Sequence, residues 1–333
     1  MTRIRQRGAA LLMAMLTVAL VATFAAASLW QQWRAVEVET AERARIQSAW
    51  ILTGALDWAR LLLREDQVGR GANSPDHLGE PWAVPLQEAR LSTFLAADRN
   101  NTSTDFGPEV MEAFLSGQVI DLYSLMNVNA MVIPTTGKVS DDHVEAFARL
   151  FEILGLPRSE LDKLSENLRF SVSAGLGAAN PQAPLKPRRA SELVWLGVSA
   201  QTAAVLEPYV TFLERTNSTI NVNTASAEVI AAVRGISLAD AQRIVQVRDA
   251  SYFKRVDDLK PYLPPNAPVE GDYRLGVSSD FFEIRARLRL DKLVVEERSV
   301  VERDTAGKVT IVSRERGTLD PTTLSRIAMT QQR

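Results

Sequence analysis

A chain of 333 residues is long enough for one large domain or two to three modest ones, and its core needs no covalent staples. Its 38 basic and 40 acidic side chains are interspersed and leave a formal charge of -2, so no strongly charged face is offered to nucleic acid or to anionic lipid. There is no cysteine, and His77 and His143 are the only histidines, which excludes disulfides, thiolate metal or redox centres and multi-histidine sites.

The first element is an apolar helix. Residues 9–30 run without a charge, about 33 Å at the helical rise, the thickness of a bilayer's hydrocarbon core. Arg3, Arg5 and Arg7 precede the run, whereas Glu37, Glu39 and Glu42 follow Arg34 on its far side. The positive-inside rule therefore puts the N-terminus in the cytoplasm, with Trp30 and Trp33 as anchors at the outer interface. A secretory signal peptide has a similar basic head and apolar core, and Ala25-Ala26-Ala27-Ser28 would be its cleavage site. The helical pattern, however, does not stop there. No Gly or Pro occurs between Ala9 and Thr53, and Val38, Ala41, Leu52, Leu56, Ala59 and Leu63 lie on one stripe. The spacing predicts a spine of ~80 Å, with residues 9–30 in lipid and residues 31–64 beneath a soluble domain.

Here the chain resembles a known family. Arg7-Gly8-Ala9-Ala10-Leu11-Leu12 is similar to the signal of type IV pilins and type II secretion pseudopilins. That resemblance implies cleavage by a prepilin peptidase between Gly8 and Ala9, loss of the leader 1–8 and N-methylation of Ala9. Most members carry a glutamate at the fifth mature position, where this chain has Met13. A carboxylate buried without a partner is costly, so a subunit with none above it has no use for one. Absence of that glutamate resembles the component K family of minor pseudopilins, which is large and carries an inserted helical domain. The implied function is structural and not enzymatic: a fibre tip built with pseudopilins of the I, J and H types on the inner-membrane assembly platform, for export of folded proteins across the outer membrane. The implied place is a single pass in the inner membrane with the C-terminal domain in the periplasm.

Residues 65–120 read as loop followed by the first part of the pilin domain, with Asp76-His77-Leu78-Gly79-Glu80-Pro81-Trp82 resembling a stretch that members carry after the spine. Single polar groups in such a loop read as caps and packing residues. Residues 121–265 show an internal repeat, because Gly155, Gly197 and Gly235 lie 42 and 38 residues apart, each between apolar or helix-ending neighbours. Each repeat reads as helix, tight Gly hairpin, helix, with Ser159, Ser199 and Ser237 near the next helix start. Asn127-Val128-Asn129 and Asn221-Val222-Asn223 introduce the first and third units, with amides suited to turns. The third unit resembles a helix-hairpin-helix module, but it keeps only the first glycine of a Gly-x-Gly phosphate hairpin and has no basic surround, so nucleic acid is not an expected partner.

Residues 266–320 form the closing strands. Phe282, Ile284, Ala286, Leu288 and Leu290 alternate with Glu283, Arg285, Arg287 and Arg289, so the arginines read as a solvated face. Leu293–Arg303 and residues 309–316 make a hairpin around Thr305-Ala306-Gly307-Lys308, a piece at 89–96 joins the sheet, and 321–333 is a tail. The fold class is α+β: a long hydrophobic pilin helix on an antiparallel sheet, with an inserted all-α helix-hairpin-helix or SAM-like domain. Calcium is the one cofactor the resemblance raises. Gly177-Ala178-Ala179-Asn180 stands where members carry Gly-Ala-Glu-Asp, and a preceding run of aspartates is missing, so the expectation is no metal. A minor type IV pilin would share the spine and a membrane-anchored DNA-uptake receptor the helix-hairpin-helix, but Met13 and the insert argue against the first and the missing Gly-x-Gly against the second.

Overall fold

The computed structural model describes residues 7–70, 74–92, 113–177, 182–217, 219–265, 267, 274–290 and 293–318. The first six residues, the tail from 319 and Ala178, Ala179 and Asn180 lie outside them. Helix α1, Arg7–Arg70, is continuous over 64 residues, six beyond the end read from the stripe. Strands β1 (Leu86–Arg90) and β2 (Phe114–Asp121) come next. The two-residue strand β3 (Met126–Asn127) then enters the insert, which holds helices α2 (Asp141–Ile153), α3 (Arg158–Gly175) and α4 (Ala200–Leu206). Strands β4 (Val210–Thr211) and β5 (Ile220–Asn221) precede helices α5 (Ala227–Arg234) and α6 (Leu238–Ala250). Short β6 (Leu275–Gly276) closes the insert, and β7 (Phe281–Leu290), β8 (Leu293–Arg303) and β9 (Val309–Thr318) end the described chain.

The main sheet has the order β1-β2-β7-β8-β9, every pair antiparallel. Because β2 and β7 are hydrogen-bonded neighbours, the insert hangs from one end of their shared ladder. The early strand is Leu86–Arg90 and not 89–96, since Leu91 has already turned into a helical bend and 93–96 lie outside the described residues. Strand β2 is not anticipated by the sequence pattern, because Gly117 interrupts it; a side chain there would meet the Arg285 carbonyl oxygen at 3.0 Å. The insert also runs on past 265 to β6, which pairs in parallel with β5.

One face of α1 meets the sheet. Leu52 packs with Leu115, Ala286 and Leu288, and Leu56, Ala59 and Leu63 pack with Trp82, Phe282 and Val301. Each buried leucine of this kind contributes about 1.5–3 kcal/mol. Trp82 sits edge-on to Phe282, 5.1 Å between ring centres. Register pairs Ala286 with Glu297, so Glu297 lies on the spine side and is neutralised there by Arg314 and Arg316 at 2.8 and 2.6 Å. The outer arginines pair with acids, Arg287 with Glu296 and Arg289 with Glu88, at 3.2 and 2.8 Å.

The insert has a core of its own around Phe147, Leu164, Leu193 and Ile230. Gly155, Gly197 and Gly235 all adopt positive φ, 65, 85 and 63°, the left-handed turn that reverses the chain between helices. Ser199 and Ser237 cap α4 and α6 by accepting from the Thr202 and Asp240 amides. Ser159 does not cap; it lies inside α3, whose N-cap is Pro157. The repeat extends to the asparagine turns. Asn127 and Asn221 each accept from the amide two residues on, at 3.2 and 3.0 Å, and each sits in a two-residue parallel bridge.

Candidate functional site

The lower spine is a bare apolar rod. Every residue from 10 to 43 is exposed, Met13 included, and the Trp30 and Trp33 rings lie 5.4 Å apart, tilted by 46°, where the apolar run ends. In the backbone Gly8 and Ala9 already belong to the first turns of α1. One helix in the described residues is long and apolar enough to cross a membrane. Beyond the apolar run the helix has two faces. Ser48, Leu52, Leu56, Ala59 and Leu63 are buried against the sheet, while Trp50, Leu61 and Val68 are exposed on the opposite side, where Gly54 faces open space. Val38 and Ala41, read as the start of the buried stripe, are exposed because the body begins only at about Ala44.

The hairpins offer no phosphate cradle. The Gly235 and Ile236 amides both donate to the Ala231 carbonyl, at 2.8 and 3.3 Å, and the amides at Gly155 and Gly197 are likewise spent on the ends of their own helices. The cations nearby are also engaged: Arg243 with Asp240, Lys260 with Asp257, and Arg248 on the Val222 and Ala225 carbonyls.

The densest polar cluster lies where spine, insert and sheet meet, and sequence reasoning missed it. Arg303, almost wholly buried at the end of β8, donates to Asp76 at 2.5 Å, to Asp66 of α1 at 3.3 Å and to the Leu63 carbonyl at 3.4 Å. Ser279 links two acids, donating through its amide to Asp76 at 2.6 Å and through its hydroxyl to Asp121 at 2.7 Å. The insert reaches in with Asn221, which donates to Asp121 at 3.0 Å and to the Asp76 carbonyl at 3.1 Å, and with Thr224, which donates to Asp121 at 2.5 Å. Beside this, Trp82 donates to the buried Glu80 at 2.5 Å, and His77 stacks on Tyr252 of the insert at 3.8 Å.

Burial pushes the Asp76 carboxyl up to about 7, against the pull of Arg303, and burial likewise raises Asp121. The carboxylates of Asp66, Asp76 and Glu80 converge within 4.8 Å; Asp66 and Asp76 meet the Arg303 guanidinium, while Glu80 is held by Trp82 and faces His77 at 3.6 Å. The Asp76 to Trp82 loop therefore does pack and cap, but it also forms the junction. The readable signal was Arg303 itself, which is in phase with Val295 and Val301 on the buried side of β8.

Comparison with known proteins places these features in context. Residues 220–272, the third helical unit with the segment after it, match the family model described as Type II secretion system (T2SS), protein K. The chain is 28% identical to the Type II secretion system protein K of Pseudomonas aeruginosa over 94% of its length and 93% of that protein's. It is 25% identical to that of Pectobacterium carotovorum, over 95% of this chain and 98% of the relative. A chain of the crystal structure of the GspK-GspI-GspJ complex from the enterotoxigenic Escherichia coli type 2 secretion system superposes with a TM-score of 0.62 at 20% identity, covering 83% of this chain and 98% of that one.

Proposed function

We infer that this chain, a type II secretion pseudopilin of the protein K kind, works as a minor subunit at the tip of the pseudopilus and primes its assembly there. The carrying observation is the combination of one spine, bare over residues 10–43 and sheet-packed above, with a helical body hung between β2 and β7. A body of that bulk beside the spine resists repetition along a tightly packed fibre, so a subunit of this shape fits best at an end. Its role is structural, and it performs no chemistry of its own.

The partners we propose are the other minor pseudopilins, of the I, J and H types, and the inner-membrane assembly platform. The solved complex of GspK with GspI and GspJ supports the first two by likeness of fold. The chain would cross the inner membrane once, N-terminus inside and body in the periplasm, after a prepilin peptidase has cut between Gly8 and Ala9 and Ala9 has been N-methylated. Met13, exposed in the lipid-facing run, leaves no carboxylate to pair with a subunit above. Mixed with the other minor subunits, the protein is expected to enter a complex of defined stoichiometry in one copy, and Met13→Glu is expected to impair secretion. Many copies along purified fibres would overturn the tip assignment; unchanged secretion in Met13→Glu would overturn only the account of the missing glutamate.

We also propose that this member needs no calcium. Ala179 and Asn180 stand where acids would be expected, and the helix end before them, Ser165-Glu166-Asn167-Leu168-Arg169, is poor in carboxylates for an ion that takes six to eight oxygens. A site filled at ~100 Kd would add about 2.7 kcal/mol of stability. Melts with calcium and with chelator are therefore expected to coincide, and a chelator-reversible rise in Tm would show that other oxygens have replaced the lost ligands.

A further inference from the structure

The turn between β8 and β9 meets α1 beside a cleft of about 390 Å³, lined by Asp57, Arg60, Leu61 and Arg64 of the spine and by Gly307 and Lys308 of the turn. Its walls are fixed at both ends. At one, the Arg60 guanidinium donates to the Val309 carbonyl at 2.7 Å and to Asp57 at 2.8 Å. At the other, Gly307, with a φ of 79°, lies so close to the spine that a Cβ there would be 3.0 Å from the Val68 side chain. Val309 is itself buried in the spine-side core with Leu56 and Leu63, so the cleft is formed before anything enters it.

The charge inside does not balance. Asp57 is taken up by Arg60, and Asp304 of the turn accepts the Ala306 and Lys308 amides at 3.0 and 2.8 Å. Glu65 lies ~100° round the helix from Arg64. Among the described residues, neither the Arg64 guanidinium nor the Lys308 ammonium has a partner, and both are exposed. Beside these two cations Leu61 gives the cleft an exposed apolar patch, and Val68 is exposed on the same side of the spine.

We propose that this cleft receives an acidic segment of a neighbouring minor subunit, with a carboxylate between Arg64 and Lys308 and an apolar neighbour on Leu61. This rests on the tip-assembly reading above and names the chemistry of one contact in it. A bare inorganic anion leaves Leu61 unused. Anionic lipid is out of reach: counted along α1 from Trp30, where the apolar run ends, Arg60 is ~45 Å away, several times the ~8–10 Å over which charges act in physiological salt. Two free cations are too few for the run of phosphates that a nucleic acid presents. A carboxylate on a partner chain, by contrast, arrives with its backbone held by the rest of the interface, and unpaired cations at the rim steer it in.

The test is the affinity of the full chain, in detergent micelles, for the other minor pseudopilins, measured between about 0.05 and 0.5 M salt. Arg64→Glu and Lys308→Glu are each expected to weaken the complex about tenfold or more and to flatten its salt dependence, since attraction becomes like-charge repulsion. Neither side chain has a partner to lose, so the melts of both variants are expected to match that of the wild type. Lys254→Glu makes the same change of charge at an exposed position of the insert and is expected to leave the affinity within about twofold. Wild-type affinity in both cleft variants would overturn the proposal while the tip assembly stands. An equal loss in Lys254→Glu would overturn it too, because the effect would then be one of net charge. Self-association of this chain alone, abolished by Arg64→Glu, would put a second copy in the cleft and refute the choice of partner. If the wild-type chain binds none of the other minor subunits, the assembly reading falls and the cleft's role falls with it.

Discussion

Replacing Arg303 by alanine is expected to destabilise the protein by about 3–5 kcal/mol, the cost of leaving a buried charge without its partner. The guanidinium is the cation shared by Asp66 and Asp76, and it also fastens the Leu63 and Ser279 carbonyls, so one truncation strands two carboxylates and two carbonyl oxygens together. It also lies over the Phe282 ring at 4.8 Å, and its loss opens the spine-side core. Arg303→Lys is expected to recover only part, because a single ammonium cannot span Asp66, Asp76 and two carbonyls in a fixed plane. Thermal or urea unfolding of the full chain in micelles checks this. A loss below ~1 kcal/mol would mean that the acids are protonated and indifferent to the arginine. Raising the pH should enlarge the deficit, since Asp76, raised to about 7, becomes charged across that range.

The second large effect is expected at the other end of the spine. Gly8→Trp should abolish maturation, leaving the eight-residue leader in place and secretion lost, with the folded body unaltered. Gly8 and Ala9 lie in the first described turns of α1, and a glycine weakens a helix wherever it sits in one. A peptidase needs that turn extended. Glycine, without a Cβ, opens it readily and fits close to a protease backbone, whereas a bulky residue does neither. Mass spectrometry of the N-terminus after co-expression with a prepilin peptidase decides the matter. Cleavage near Ser28 in the unaltered chain would overturn the pilin-type processing, and full processing of Gly8→Trp would remove the role given to Gly8.

These two residues differ in how visible they were. Gly8 is read from its neighbours, Arg7 before and an apolar run after. The spine, the β7–β9 strands and the three glycine hairpins were equally legible, because each rests on a local property: a period of 3.6, a period of two, or a left-handed φ that an L side chain resists. Even the paired asparagine turns announced themselves as a repeat. Strand β2 did not, since its partner β7 is far along the chain and the glycine that lets the two backbones approach reads locally as a break. The buried junction was further from view. Asp76 meets Arg303 across 227 positions and Asp121 meets Asn221 across 100, and a lone aspartate in a loop looks the same whether it faces water or a guanidinium. Periodicity along the chain settles which side of an element is apolar. Only packing brings the charged exceptions from four separate segments into one dry site, where burial raises the Asp76 and Asp121 carboxyls.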